Sequence, residues 1–114
     1  VTTLRGSYDF TLQCGADFAL SMTYKEHGAP VDIRGWSATS EVRSKRNLAE
    51  LLFSATVTLI DPQNGLFSWS VKAAQTIDLP DLPAVWDVAL VAPSGGRVVV
   101  IGGNIKFILA VTRA

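Results

Sequence analysis

A chain of 114 residues is long enough for one domain with its own core. Ten Lys and Arg balance ten Asp and Glu, which excludes the basic footprint of a nucleic-acid binder. Only 18% of residues are charged, against roughly 25% in an average globular domain, so part of the surface is expected to be covered, by the compactness of a small β domain or by partners.

Residues 1–6 form a polar lead-in arm that includes Arg5 and Gly6 and has no packing period of its own. A first strand is expected near Tyr8 to Cys14, with Tyr8, Phe10, Leu12 and Cys14 on one face. Gly15-Ala16-Asp17 reads as a turn or bulge. From Phe18 to Lys25 the alternation is clean, with Phe18, Leu20, Met22 and Tyr24 opposed by Ser21, Thr23 and Lys25. Glu26-His27-Gly28-Ala29-Pro30 breaks that strand, Val31-Asp32-Ile33 is a short extended piece, and Arg34-Gly35 turns again. A third main strand spans about Trp36 to Ser44, with Trp36, Ala38, Ser40 and Val42 on one side.

Asn47 to Leu52 reads as helical or irregular, because Leu48, Leu51 and Leu52 fall at three- and four-residue spacing. The clearest hairpin follows. Alternating runs flank Asp61-Pro62-Gln63-Asn64-Gly65, in which proline presets φ and Asn-Gly tolerates positive φ. The end of Ser70 to Ile77 suits one turn of helix between strands. Asp78-Leu79-Pro80-Asp81-Leu82-Pro83 forbids regular structure, since each proline lacks a donor and restricts its predecessor. Val85 to Val91 is a strand, Pro93-Ser94-Gly95-Gly96 a further hairpin signal, and Arg97 to Ile101 and Asn104 to Thr112 the closing strands. Gly102-Gly103 between them marks a bulge or kink. The sum is about eight short strands with regular turn signals, which predicts an all-β fold, a single antiparallel β-sandwich, immunoglobulin-like or related. Tyr8, Phe18, Leu20, Trp69 and Val88 are assigned to its core.

Chemistry is sparse. Cys14 is the only cysteine, so no intrachain disulfide can form, and its alternating position suits a buried structural thiol. A reducing site of synthesis fits. No run approaches the roughly 20 apolar residues of a membrane span, and no charged stretch precedes a long apolar block at the N-terminus, so neither a span nor a secretion leader is expected. His27 is the only histidine and sits in an apparent surface turn. With one His and one Cys, zinc-ligand spacings are absent, and no metal or other cofactor is expected.

Asp61, Asp78, Asp81 and Asp87 are the carboxylates to consider for acid–base or calcium chemistry. Asp61 is better explained as a turn-starting residue, and Asp78 and Asp81 as loop residues. Asp87 stands inside an apolar strand and needs hydrogen-bond partners if it faces inward. Gly95-Gly96 and Gly102-Gly103 lack the Lys-Ser/Thr and helix of a phosphate loop. Trp36, Trp69 and Trp86 suit packing, or a sugar-stacking platform as in carbohydrate-binding modules. The residues point away from an enzyme. Arg43-Ser44-Lys45-Arg46 gathers three cations, as a solvated strand end or as a patch for an acidic partner.

The series Gly15-Ala16-Asp17-Phe18-Ala19-Leu20-Ser21-Met22-Thr23-Tyr24, then Gly28-Ala29-Pro30-Val31-Asp32-Ile33-Arg34-Gly35-Trp36-Ser37-Ala38, resembles a small phage tail domain. That domain is similar to the N-terminal sandwich of siphophage upper baseplate proteins. The likeness continues through Val42-Arg43, the Thr58 to Gly65 hairpin, Trp86-Asp87-Val88, Gly95-Gly96-Arg97-Val98 and Gly103-Asn104-Ile105-Lys106-Phe107, and covers about residues 8–112. It departs from the family pattern at Ala16-Asp17, where two acidic residues are common, and in the proline-rich Asp78 to Pro83 segment. The long coiled-coil or receptor-binding regions that follow the domain in baseplate proteins are not part of this sequence.

The resemblance implies a non-enzymatic virion structural protein of the tail, baseplate or neck, assembled in the host bacterial cytoplasm. Its partners would be other virion proteins and copies of itself, with no nucleic acid and no membrane. The candidate contacts are Arg43, Lys45, Arg46 and the loop Asp78, Leu79, Pro80, Asp81, Leu82 and Pro83. The alternative is a carbohydrate-binding or immunoglobulin-like adhesion module, which alone would take a sugar ligand and would expose coplanar tryptophans.

Overall fold

Nine strands and one turn of α-helix, besides a 3-10 turn at Pro62–Asn64, follow one another in the structure, a computed structural model that describes residues 7–79 and 83–108. They are β1 (Phe10–Gln13), β2 (Phe18–Thr23), β3 (Lys25–Glu26), β4 (Ala29–Pro30), β5 (Ser37–Ser44), β6 (Leu51–Asp61), β7 (Leu66–Val71), α1 (Ala73–Thr76), β8 (Ala84–Val91) and β9 (Arg97–Ile108). Alternation sets the faces. In β7 every second residue is buried, Phe67, Trp69 and Val71, and in β8 Trp86, Val88 and Leu90 are buried in the same way.

The fold is all-β, but it is not the purely antiparallel sandwich that turn spacing suggests. Seven strands form one nearly closed sheet in the order β1-β9-β8-β5-β6-β7-β2, and β3 and β4 form a separate small ribbon. The reason lies in β6. Its first half pairs with β5 (Ser40 opposite Ala55, Val42 opposite Phe53) and its second half with β7 (Thr56 opposite Ser70, Leu59 opposite Phe67). One strand therefore serves both arms of the sheet, which folds over along it. The second departure is β1, which runs parallel to β9, with Phe10 opposite Ile105 and Leu12 opposite Phe107.

The core between the arms is aromatic. Phe10 stacks on Phe18 with ring centroids 5.4 Å apart and meets Trp69 and Trp86 edge-on at 5.4 and 5.3 Å. Such offset and edge arrangements suit ring quadrupoles. Both buried indoles place their N–H groups. Trp69 Nε1 donates to Ser40 Oγ at 2.7 Å, and Ser40 Oγ in turn donates to the Asp87 carbonyl. Trp86 Nε1 donates to the Tyr8 carbonyl at 3.0 Å.

Several expectations need correction. Leu51 and Leu52 are not in a helical turn but open β6, and residues 45–50 form a bent loop closed by Glu50 N–H on the Asn47 carbonyl. Leucine spacing misled because only the inward positions of β6, such as Phe53, are buried, while Leu48 and Leu51 are exposed. Tyr8 is not core: 45% of it is exposed, and it is its carbonyl, not its ring, that lies against Gly103 of β9 and accepts from Trp86. Trp69 and Val88 are fully buried, and Phe18 and Leu20 are half-buried. Gly102-Gly103 is no break, since β9 runs through it, and the register slip falls instead opposite Val88 and Ala89, at Val100. The single turn of helix appears as α1. The lead-in arm 1–6 and the end of the last strand, 109–112, lie outside the described residues.

Ser40→Ala removes the acceptor of a buried indole N–H, and an unsatisfied buried donor costs about 1–3 kcal/mol. Urea unfolding is expected to show that loss as a lower midpoint with an unchanged m-value, reporting stability rather than compactness.

Candidate functional site

The candidate contact residues divide. Arg43 is not a free cation: it pairs with Glu41 at 2.9 Å and its Nη1 donates to the Leu48 and Ala49 carbonyls, closing the 45–50 loop. Lys45 and Arg46 are exposed. Lys45 N–H donates to the Pro83 carbonyl at 3.0 Å, so the basic loop and the end of the proline-rich segment do meet. Asp78 is exposed, whereas Leu79 is half-buried and packs on the core. Pro83 is exposed, and Pro80, Asp81 and Leu82 lie outside the described residues. Beside this junction a shallow groove of about 500 Å³ lies over the paired strands β1 and β9, lined by Asp9, Thr11, Lys45, Pro83 and Lys106 among others.

Asp87 answers the question its sequence setting raised. Its side chain points outward, opposite Glu41 on β5 and Gly102 on β9. It lies in a depression of about 380 Å³ whose walls include Leu48, Val85 and Val99. Partial burial raises its pKa above the ordinary carboxylate value, Arg97 opposes that rise, Glu41 adds to it, and Arg43 opposes it. Among the described residues, no three His, Cys, Asp or Glu side chains gather as metal ligands. His27 sits in an exposed turn at φ 52°.

Gly103 packs directly against the segment before β1. A Cβ there would strike the Tyr8 carbonyl and come within 2.7 Å of Asp9 Oδ1. The space is used: Tyr8 N–H donates to the Gly102 carbonyl at 2.9 Å, and Asp9 Oδ1 accepts from Asn104 N–H at 2.8 Å. The pair of glycines thus marks a backbone crossing, which a strand glycine can signal.

The Asp61–Gly65 turn, a candidate contact tip by sequence, is docked at its far end. Gly65 has φ 73° and is buried against the Tyr24 and Val31 backbone. Its carbonyl accepts Tyr24 N–H at 2.9 Å, and the Pro62 carbonyl accepts Ile33 N–H at 2.8 Å. Asp61, Gln63 and Asn64 remain exposed. Of the three tryptophans, Trp69 and Trp86 are buried, and Trp36 is half-buried beside Tyr24, so they do not form an exposed stacking platform.

The surface feature that sequence reading missed is a segregation of charge between the two outer faces. On the β5–β8–β9 arm the outward positions carry Glu41, Arg43, Asp87, Arg97 and Lys106. On the β2–β7–β6 arm two rows across the sheet, Ala19–Ser70–Thr56 and Ser21–Ser68–Thr58, carry no charge, and the next, Thr23–Leu66–Asp61, carries one beside the turn. Asp17 and Lys25 stand just beyond the two ends of β2. The alternating Ser and Thr of these strands were visible, but only the register lines them up as one face. No protein-family model matches the chain, and no curated protein matches its sequence.

Two outcomes test this surface. Gly103→Ala forces backbone apart at the crossing, and such overpacking costs about 1–3 kcal/mol, read as a lower thermal midpoint. For Asp87 the folded pKa lies above the unfolded one, so its contribution to stability is whole at low pH and is lost as pH rises through the folded value. Asp87→Asn is therefore expected to be more stable than wild type at neutral pH. The gap should close as the pH falls below the carboxylate range, measured by urea titrations at both pH values.

Proposed function

We propose that this chain is a structural domain of a bacteriophage virion, in the tail, baseplate or neck, and that it works by packing against copies of itself and other virion proteins. The observation that carries the reading is the pair of uncharged Ser, Thr and Ala rows on the β2–β7–β6 arm together with its bordering strand β2. Covering such a face desolvates hydroxyls, which re-pair readily, rather than ions, whose burial is costly. Interface cores are depleted of charge in the same way.

Three further features support it. The ordered motifs from Gly15 to Phe107 resemble the tail-domain family across most of the chain. The low charged fraction suits a permanent assembly, whose interfaces resemble a domain core cut in half. Exposed apolar side chains at Leu48, Leu51, Ile60 and Ile108 supply additional contact area. In this reading the charged β5–β8–β9 face stays towards solvent or meets a neighbour of complementary charge.

Mass spectrometry of gradient-purified particles of the encoding phage should detect the chain at a copy number fixed relative to the tail proteins. Its absence from mature particles would sink the proposal.

A further inference from the structure

Strand β2 ends the sheet, and none of the described residues pairs with its outer side. Edge strands in proteins that stay monomeric usually carry a charge, a proline or a bulge that blocks further pairing. Phe18–Thr23 has none of these. Its inward side chains are also only half covered: Phe18, Leu20 and Met22 are half-buried, whereas their partners Val71, Trp69 and Phe67 on β7 are buried. Apolar surface is left open along this edge.

The hydrogen-bonding parity of the edge is fixed. Tyr24 N–H donates to the Gly65 carbonyl, so in this antiparallel ladder the even-numbered residues turn their backbone groups to β7. Ala19, Ser21 and Thr23 therefore present N–H and C=O to the open side. The strand is self-complementary in that parity. If two copies meet antiparallel with Ser21 opposite Ser21, Ala19 faces Thr23 of the partner subunit, and each such pair exchanges two backbone hydrogen bonds. In the same register Leu20 faces the partner's Met22. With that register carried past the ends of β2, Asp17 comes opposite the partner's Lys25, which opens β3, twice by symmetry, and both residues are exposed.

We infer that β2 is a homotypic docking edge, through which two copies of this chain join their sheets about a two-fold axis at Ser21, locked by reciprocal Asp17–Lys25 ion pairs. The choice of a second copy as partner rests on the self-assembling reading above. The edge pairing extends the hydroxyl face continuously from one copy to the next and covers the half-exposed Phe18, Leu20 and Met22. An isologous contact of this kind closes at two copies, so the remaining surfaces stay available for other neighbours.

The test is the mass of the full chain in solution by sedimentation equilibrium. Wild type is expected to be a dimer in concentration-dependent exchange with monomer. Ser21→Pro removes a donor on the open side, where an edge strand tolerates proline, and is expected to be monomeric with an unchanged circular dichroism spectrum. Lys25→Glu sets Glu against Asp17, and Asp17→Lys sets Lys against Lys25. Each is expected to weaken self-association about tenfold, since two exposed ion pairs become two repulsions. Mixed together, those two variants should form a heterodimer of wild-type affinity, because every facing pair is then attractive. That recovery separates the register from any general loss of stability, including loss of the Asp17 hydrogen bond to Ala73 N–H. A chain that is monomeric at every concentration, a dimer that Ser21→Pro leaves intact, or a mixture that restores nothing overturns the inference. Detection in particles is a separate readout, so a failed edge pairing and a failed virion assignment are distinguishable.

Discussion

Two indole N–H groups buried in one apolar core constrain the rest of this molecule. A buried donor without an acceptor is costly, so each tryptophan has to bring an oxygen to itself. Trp69, on one arm of the sheet, donates to the hydroxyl of Ser40 on the other, and that hydroxyl donates in turn to the Asp87 carbonyl on β8. That chain ties β7, β5 and β8 together across the core and explains why a serine is buried among Val42, Val88 and Trp69. Trp86 takes a main-chain oxygen instead, from Tyr8. To deliver it, the segment before β1 has to lie over β9 at Gly102-Gly103, where only hydrogen leaves room. The parallel pairing of β1 with β9 follows from that placement.

Patterns in the sequence are legible where the structure they encode is local. The Asp61–Gly65 turn, the alternation of Phe18 to Met22, the strand from Val85 to Val91 and the single helical turn after Val71 all depend on neighbours in the chain. Pairings between distant segments were not legible. Nothing in the spacing of Phe10 and Leu12 says that they lie beside Ile105 and Phe107 rather than beside the strand that follows them. The eleven residues of β6 read as one strand, but not as a strand that changes partner halfway. Leu48, Leu51 and Leu52 show the limit of periodicity over a short window, since three- and four-residue spacing also arises by chance at a loop that runs into a strand. The candidate site suffered in the same way. Arg43 in a basic cluster looks available until Glu41, two residues earlier on the same face, is seen to hold it.

The division of charge between the two outer faces has a physical consequence for assembly. Desolvating Glu41, Arg43, Asp87 and Arg97 would require compensation at each group, and Asp87 already shows the strain of partial burial. The Ser and Thr side chains of the opposite face carry no such penalty, and they can satisfy one another or nearby carbonyls, as Ser70 Oγ does with the Thr56 carbonyl. A single domain can therefore keep one side wet and present the other to a neighbour. The low charged fraction of the sequence is the composition-level trace of this arrangement.

The open edge of β2 is a consequence of the same core. The turn from Cys14 to Asp17 is short enough to close a hairpin, in which β1 would lie antiparallel along β2 and cover it. The core takes β1 elsewhere. Phe10 is placed between Phe18, Trp69 and Trp86, and Trp86 draws the Tyr8 carbonyl, so β1 joins β9 and meets β2 through the stacked rings of Phe10 and Phe18. This leaves open one strand edge whose parity and end charges match a second copy. An interior constraint, the need of one indole for an acceptor, thereby determines which surface of the molecule is left for another chain to complete.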